Sequence, residues 1–131
     1  MSQENVELVR KAWSALDRGD VEAAFQDVAP DVVFDQTRAL GMDRSVYNLD
    51  EFTRLTRSFI SAWRSVRWEA DDLIDAGQHV VLAFTNRLTG RDGITLEAHG
   101  TLVWAFRGNR IVHVCLYQDR AEALAAAGLS E

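Results

Sequence analysis

The chain reads as an α+β fold on three grounds. Apolar residues recur at three- and four-residue steps through the first half of the chain. Apolar and polar residues alternate through the second half, and the alternating segments are joined by turns too short for a crossover helix. Helices first and strands later place the helices against one largely antiparallel sheet. The length of 131 residues suits a single domain spanning 1–131. A chain of this size buries about two-thirds of its unfolded surface, enough for a core without staples. Hydrophobic residues at 47% and charged residues at 26% exclude a disordered or fibrous chain.

Ser2 is placed to cap a first amphipathic helix bearing Val6, Val9, Ala12, Trp13 and Leu16 on one face, ending at Gly19. Asp20 caps a second, shorter helix with Val21, Ala24, Phe25 and Val28 on one face, stopped by Pro30. Val32-Val33-Phe34 reads as a short strand, and the irregular polar stretch from Gln36 to Tyr47 is the kind of segment that borders a site. Asn48 and Glu51 have capping-box spacing, opening a third helix with Phe52, Leu55, Phe59 and Ala62/Trp63. Four strands follow: Val66 to Ala70, His79 to Thr89, Ile94 to Arg107 and Arg110 to Gln118. They turn at Gly77, at Gly90-Arg91-Asp92-Gly93 and at Gly108-Asn109. Asp119 and Glu122 cap a short Ala-rich C-terminal helix that ends at Gly128.

The last hairpin decides which face each strand residue uses, because a one-residue slip turns a strand over. A three-residue loop, Arg107-Gly108-Asn109 with Asn109 left-handed, sets Leu102, Trp104 and Phe106 on one face with Val112, Val114 and Leu116. A two-residue loop sets Trp104 beside His113 and mixes both faces. Under the first register the opposite face carries Val103, Ala105, Ile111, His113, Cys115 and Tyr117, too apolar for open solvent. A second copy of the sheet is the simplest cover, which predicts a homodimer through this outer face.

With 14 basic against 20 acidic side chains the net charge is −6, and the basic residues are scattered. Nucleic acid is therefore not an expected partner, since phosphate neutralisation needs clustered Lys and Arg. The one cysteine, Cys115, cannot form an internal disulfide, and Ser2-Gln3-Glu4-Asn5 opens no basic and apolar leader, so a cytoplasmic protein is expected. The longest apolar run, Val80 to Phe84, is far below the ~20 residues that span a bilayer.

Several stretches resemble one family: Val6-Glu7-Leu8-Val9-Arg10-Lys11-Ala12-Trp13, Arg18-Gly19-Asp20, Pro30-Asp31-Val32, Ile74-Asp75-Ala76-Gly77, and Gly108-Asn109-Arg110-Ile111-Val112 through Tyr117-Gln118-Asp119-Arg120. Together they resemble a SnoaL-like member of the nuclear transport factor 2-like superfamily over nearly the whole chain. The resemblance implies a cone-shaped half-barrel, in which a curved mixed or antiparallel sheet and three N-terminal helices enclose an apolar pocket, often in a homodimer. It does not imply one function, because that superfamily holds isomerases, dehydratases, cyclases, epoxide hydrolases and binding domains. Ketosteroid isomerase in this superfamily uses an Asp base with a Tyr and a protonated Asp as oxyanion hole. The matching positions here are Gln36, Ala12 and Leu102, none able to serve. Nor is there an acid–Arg–acid set of the epoxide-hydrolase kind, since Arg87 faces outward.

If the sheet turns Leu102, Trp104, Val112 and Val114 inward, the polar pocket members are Gln36, Asn86, Gln118 and the Trp104 indole, with Arg38 and Tyr47 near the mouth. Phe59 and Trp63 on the helix side, with Phe84, Leu102 and Val114 on the sheet side, complete the expected substrate-binding wall. Such a set orients a carbonyl or hydroxyl group but holds nothing that titrates near neutrality. Buried amides need partners, which a ligand or ordered water would supply at Asn86 and Gln118; contact with solvent at a strand end is the other reading. Asp35 is the available base beside Gln36, provided a bulge turns it inward; otherwise it is a solvent-facing strand-end carboxylate. His79, His99 and His113 lack metal-ligand spacing, and neither metal nor cofactor is expected. Cys115 carries no thiolate-stabilising motif, and the four tryptophans read as core and pocket wall. Two functional classes remain: a binder of a small, mostly apolar carbonyl- or hydroxyl-bearing molecule, and a cofactor-independent isomerase, cyclase or dehydratase acting on a polyketide-like substrate. A filled interior with only the dimer functional is the third.

Overall fold

Helix α1 runs from Ser2 to Asp17 in the computed structural model, which describes residues 2–39 and 45–129. The helix thus begins at Ser2 and not after it. Gly19 follows at φ 77°, and the amides of Gly19 and Asp20 reach back to the carbonyls of Leu16 and Ala15, a closure that needs left-handed backbone. Asp20 caps α2 by accepting from the Ala23 amide, yet α2 covers only Val21–Ala24. Val28, expected on that helix, already belongs to β1, Val28–Asp35. Pairing overrides the helical periodicity here, since β1 lies along β6 in parallel. Pro30, expected to stop a helix, falls where the β1–β6 register shifts, a place where a missing N–H removes no ladder bond.

The stretch from Gln36 to Tyr47 ends in a two-residue strand, β2 (Val46–Tyr47), with Tyr47 opposite Phe34; its positions 40–44 lie outside the described residues. Helix α3, Leu49–Ser61, opens with the expected capping box, Asn48 and Glu51 each accepting from the other's amide. Trp63 lies past its end. Strand β3 (Ser65–Ala76) is longer than the alternation suggested, because Asp71 is bulged out between Ala70 and Asp72 and pairing resumes to Ala76. Strands β4 (His79–Thr89), β5 (Thr95–Arg107) and β6 (Arg110–Tyr117) complete a sheet of order β2-β1-β6-β5-β4-β3. The sheet is mixed, curved and not closed, and it wraps α1 to α3 on its concave side.

The β5–β6 hairpin corrects the expected register and keeps most of its consequence. Arg107 pairs with Arg110, so the loop is the two-residue Gly108-Asn109, with Gly108 at φ 65° and no left-handed Asn109. Alone, that loop would place Trp104 beside His113. Val112, however, is bulged between His113, opposite Ala105, and Ile111, opposite Phe106. The extra residue restores the faces: Trp104 sits opposite Val114 and Leu102 opposite Leu116, all on the concave side. Ile111 therefore enters the core at 0% exposure, where the outer face had been expected, and Val112 leaves the inner set.

Part of the outer face is covered from within the chain. Val103, Cys115 and Tyr117 pack with Val81 against Ala123 and Leu124 of α4 (Arg120–Ala126) and against Ala127, its C-cap. Asp119 caps this helix as expected, accepting from the Ala121 amide. Ion pairs Arg120–Asp72 at 2.9 Å and Arg38–Glu122 at 3.0 Å fasten α4 to the sheet and to the segment after β1. The chain's own last helix supplies apolar cover where a second copy had been expected; Ala105 and His113 stay half-buried. Among the described residues no helix is long and apolar enough to cross a membrane.

Candidate functional site

Two aromatic clusters occupy the concave side. One gathers Phe25, Phe34, Tyr47 and Phe52, with Phe34 and Phe52 stacked at 4.2 Å. The other joins α1, α3 and the β3–β4 end of the sheet: Trp13 lies 5.1 Å from both Trp68 and Phe84, and Phe59 lies 6.1 Å from Trp68 and 6.5 Å from Trp63. Such pairs contribute roughly 0.5–1.5 kcal/mol each beyond the area they bury. Gly100 makes the second cluster possible, because a Cβ there would stand 2.8 Å from the Phe84 ring. The ring lies over the bare backbone and reaches Trp13.

Polar groups are sealed among these rings. Asn86 is directly opposite Trp68, so the two side chains share the concave face. The Asn86 Oδ1 and the Nε1 atoms of Trp13, Trp68 and Trp104 have no hydrogen-bond partner and are closed to solvent. Each such group costs roughly 1–3 kcal/mol relative to a paired one. Among the described residues the buried polar ones are Asn5, Thr56, Thr85, Asn86 and Thr101, none of which titrates. No group of His, Cys, Asp and Glu among the described residues is arranged to hold a metal ion.

The structure divides the residues singled out from the sequence. Leu102, Trp104, Val114 and Asn86 are buried on the concave side, with Phe84, Phe59, Trp63 and Tyr47 half-buried around them. Gln36 is half-buried at the end of β1, its amide bonded to the Ser45 carbonyl. Asp35 lies opposite Cys115, on the outer face. Burial raises its pKa, but the Thr37 hydroxyl and amide, at 2.6 and 2.9 Å, together with His113 and Arg38, outweigh this and hold it below the ordinary carboxylate value. Arg38, expected at the mouth, also lies outside: its guanidinium is 4.9 Å from the Tyr117 ring centre and bonds Glu122. Burial first, then the Cys115 hydrogen bond, pushes the Tyr117 hydroxyl up to about 12. Gln118 is exposed just beyond β6, so contact with solvent is the reading that holds.

Among the described residues, two surface hollows bear on the site. One, of about 270 Å³, lies between α1 and the free edge of β3, lined by Arg10, Trp13, Asp17, Arg18 and Trp68 among others. The second, of about 430 Å³, lies between the α1–α2 turn and the end of α3, where Asp20, Glu22, Arg57 and Ile60 meet. Neither is lined by Asn86, Leu102, Trp104 or Val114. Trp13 and Trp68, expected as core and pocket wall, thus border both the first hollow and the sealed interior. Large inward rings occupy the space a smaller set of side chains would leave open.

Asp17 at the first hollow is held by Arg67 through two bonds of 2.9 and 3.1 Å, and it accepts from the Trp68 amide at 2.9 Å. The Arg67 hydrogen bonds lead the causes that lower its pKa from the ordinary 3.8, with the Trp68 amide adding and burial opposing. A lowered carboxylate contributes stability that is present above its unfolded pKa and disappears as pH falls through the folded one. Asp17→Asn should therefore be less stable than the wild type in urea at neutral pH, and the gap should close below the ordinary carboxylate range. A gap independent of pH would contradict this assignment.

An open cone of curved sheet around three helices, with an apolar interior, defines the ketosteroid isomerase-like, nuclear transport factor 2-like fold. The chain belongs to the SnoaL-like domain family, whose model matches residues 9–114. An NTF2-like protein from Burkholderia thailandensis is 27% identical, with TM-score 0.74 over 95% of this chain and 96% of that one. IdmH from Streptomyces antibioticus, a suggested polyketide cyclase, is 18% identical with TM-score 0.76 over 95% and 99%. AclR from Streptomyces galilaeus, a suggested hydroxylase, is 15% identical with TM-score 0.77 over 98% and 87%. A search of the curated proteins found no match.

Proposed function

We propose that this protein binds a small, mostly apolar molecule bearing a hydroxyl or carbonyl group inside its cone, without cofactor. The observation that carries the reading is the set of unpartnered polar atoms, Asn86 Oδ1 and the indole Nε1 atoms, within a mostly apolar interior. Buried polar groups are paired in the great majority of native structures, so a partner from outside the chain fits them. A hydroxyl suits both kinds, donating to Asn86 and accepting from an indole N–H.

The catalytic alternative, an isomerase, cyclase or dehydratase using Asp35 and Gln36, gains support from the suggested cyclase among the structural neighbours. It loses support because Asp35 lies on the outer face, tied to Thr37, and general acid–base work needs a titrating group within reach of the substrate. Pairing of two copies stays in the proposal only at the uncovered part of the outer face, around Ala105 and His113.

Displacement of a fluorescent apolar probe by β-naphthol and by β-methylnaphthalene tests the reading, since the two differ only in hydroxyl against methyl. The naphthol is expected to bind about tenfold more tightly, the equivalent of one good hydrogen bond to buried groups. Equal affinities, or no displacement by either, would overturn it.

A further inference from the structure

We propose that the ligand enters the cone from the hollow between α1 and β3, through the Trp13–Trp68 pair, and carries an acidic group that Arg10 and Arg18 hold at the rim. The inference rests on the cone-binding reading above and narrows it to anionic aromatic or otherwise planar molecules.

The hollow, of about 270 Å³, has Trp13 and Trp68 in its lining. Those rings meet edge to face at 5.1 Å, and behind them stand Phe84, also 5.1 Å from Trp13, and Asn86, opposite Trp68 on the sheet. The pair is thus the partition between surface and sealed interior. Its two members differ. Trp13 is 4% exposed and fixed in α1, whereas Trp68 is half-buried on an edge strand. Asp17 holds the Trp68 main chain at the amide, so the indole can rotate about an anchored backbone. Rotation would free both unpartnered indole N–H groups and expose Asn86 Oδ1 to an entering molecule.

Charge gives the chemical class. The chain as a whole is at −6, yet this hollow is lined by Arg10 and Arg18 with one carboxylate, Asp17, which Arg67 already neutralises. Arg10 has only a long exposed contact with Glu7 at 3.4 Å, and Arg18 has no ion-pair partner among the described residues. Guanidinium groups at the rim of an indole-walled opening suit a carboxylate or sulfonate attached to an apolar body.

The test compares anilinonaphthalene sulfonate with the neutral phenylnaphthylamine of the same ring system, by fluorescence titration of the full chain. The sulfonate is expected to bind about tenfold more tightly, and the ratio of affinities to fall toward one in the double variant Arg10→Gln/Arg18→Gln. Arg57→Gln, at the other hollow, removes a positive charge elsewhere and should leave the ratio unchanged. A ratio near one in the wild type, a ratio unmoved in the double variant, or an equal fall in Arg57→Gln would overturn the entrance while the neutral amine's binding upholds the cone reading. No binding by the neutral amine would overturn both.

Discussion

Trp104→Ala is expected to lower the free energy of unfolding by about 3–5 kcal/mol, a large share of the ~5–15 kcal/mol available to a domain of this size. Trp104 is 3% exposed at the middle of β5, between Val80 and Val114, and its ring fills the centre of the concave side. Truncation leaves a hole that neighbouring strands cannot close without breaking register. Trp104→Phe keeps most of the ring and removes an N–H that no group receives, so it should cost under about 1.5 kcal/mol. Urea unfolding monitored by far-UV circular dichroism separates the two. Equal losses would mean that the indole N–H is bonded in the folded protein.

Asn86→Leu should move stability and binding in opposite directions. Leucine keeps the branched four-heavy-atom outline of asparagine and removes an acceptor sealed without a partner, so the fold is expected to gain about 1 kcal/mol. The same change removes the group proposed to receive the ligand hydroxyl, and β-naphthol affinity should fall about tenfold while β-methylnaphthalene affinity holds. A residue kept for packing alone would show neither the gain nor the loss. Unchanged naphthol affinity in a more stable variant would take Asn86 out of the site.

How far the sequence carried can be judged at particular residues. The caps at Asp20, Asn48 and Asp119 and the closure at Gly19 were legible because each depends on a few adjacent residues and a local hydrogen bond. The bulge at Val112 was not, because a β-branched residue between Ile111 and His113 looks like any other strand position and its displacement is set by partners on β5. Nor was the role of α4 visible. Seven mostly small residues promise little area, yet Ala123, Leu124 and Ala127 suffice because they are pressed onto Val103, Cys115 and Tyr117 at close range. In the candidate site, alternation found the inward residues of the long strands, Phe84, Asn86, Leu102 and Trp104. It failed for Arg38 and Gln118, which lie beyond strand ends where no period applies. The role proposed for Trp13 and Trp68 rests on their mutual contact, which joins rings 5.1 Å apart in space and far apart in the chain.

A crystal structure of the protein with β-naphthol would show whether the molecule enters the cone. The rings are expected inside the cone between α1 and β4, with Trp68 turned away from Trp13 and the naphthol oxygen about 3 Å from Asn86 Oδ1. Naphthol found only in the hollow beside Arg57, or an interior unchanged at saturating concentration, would contradict the account.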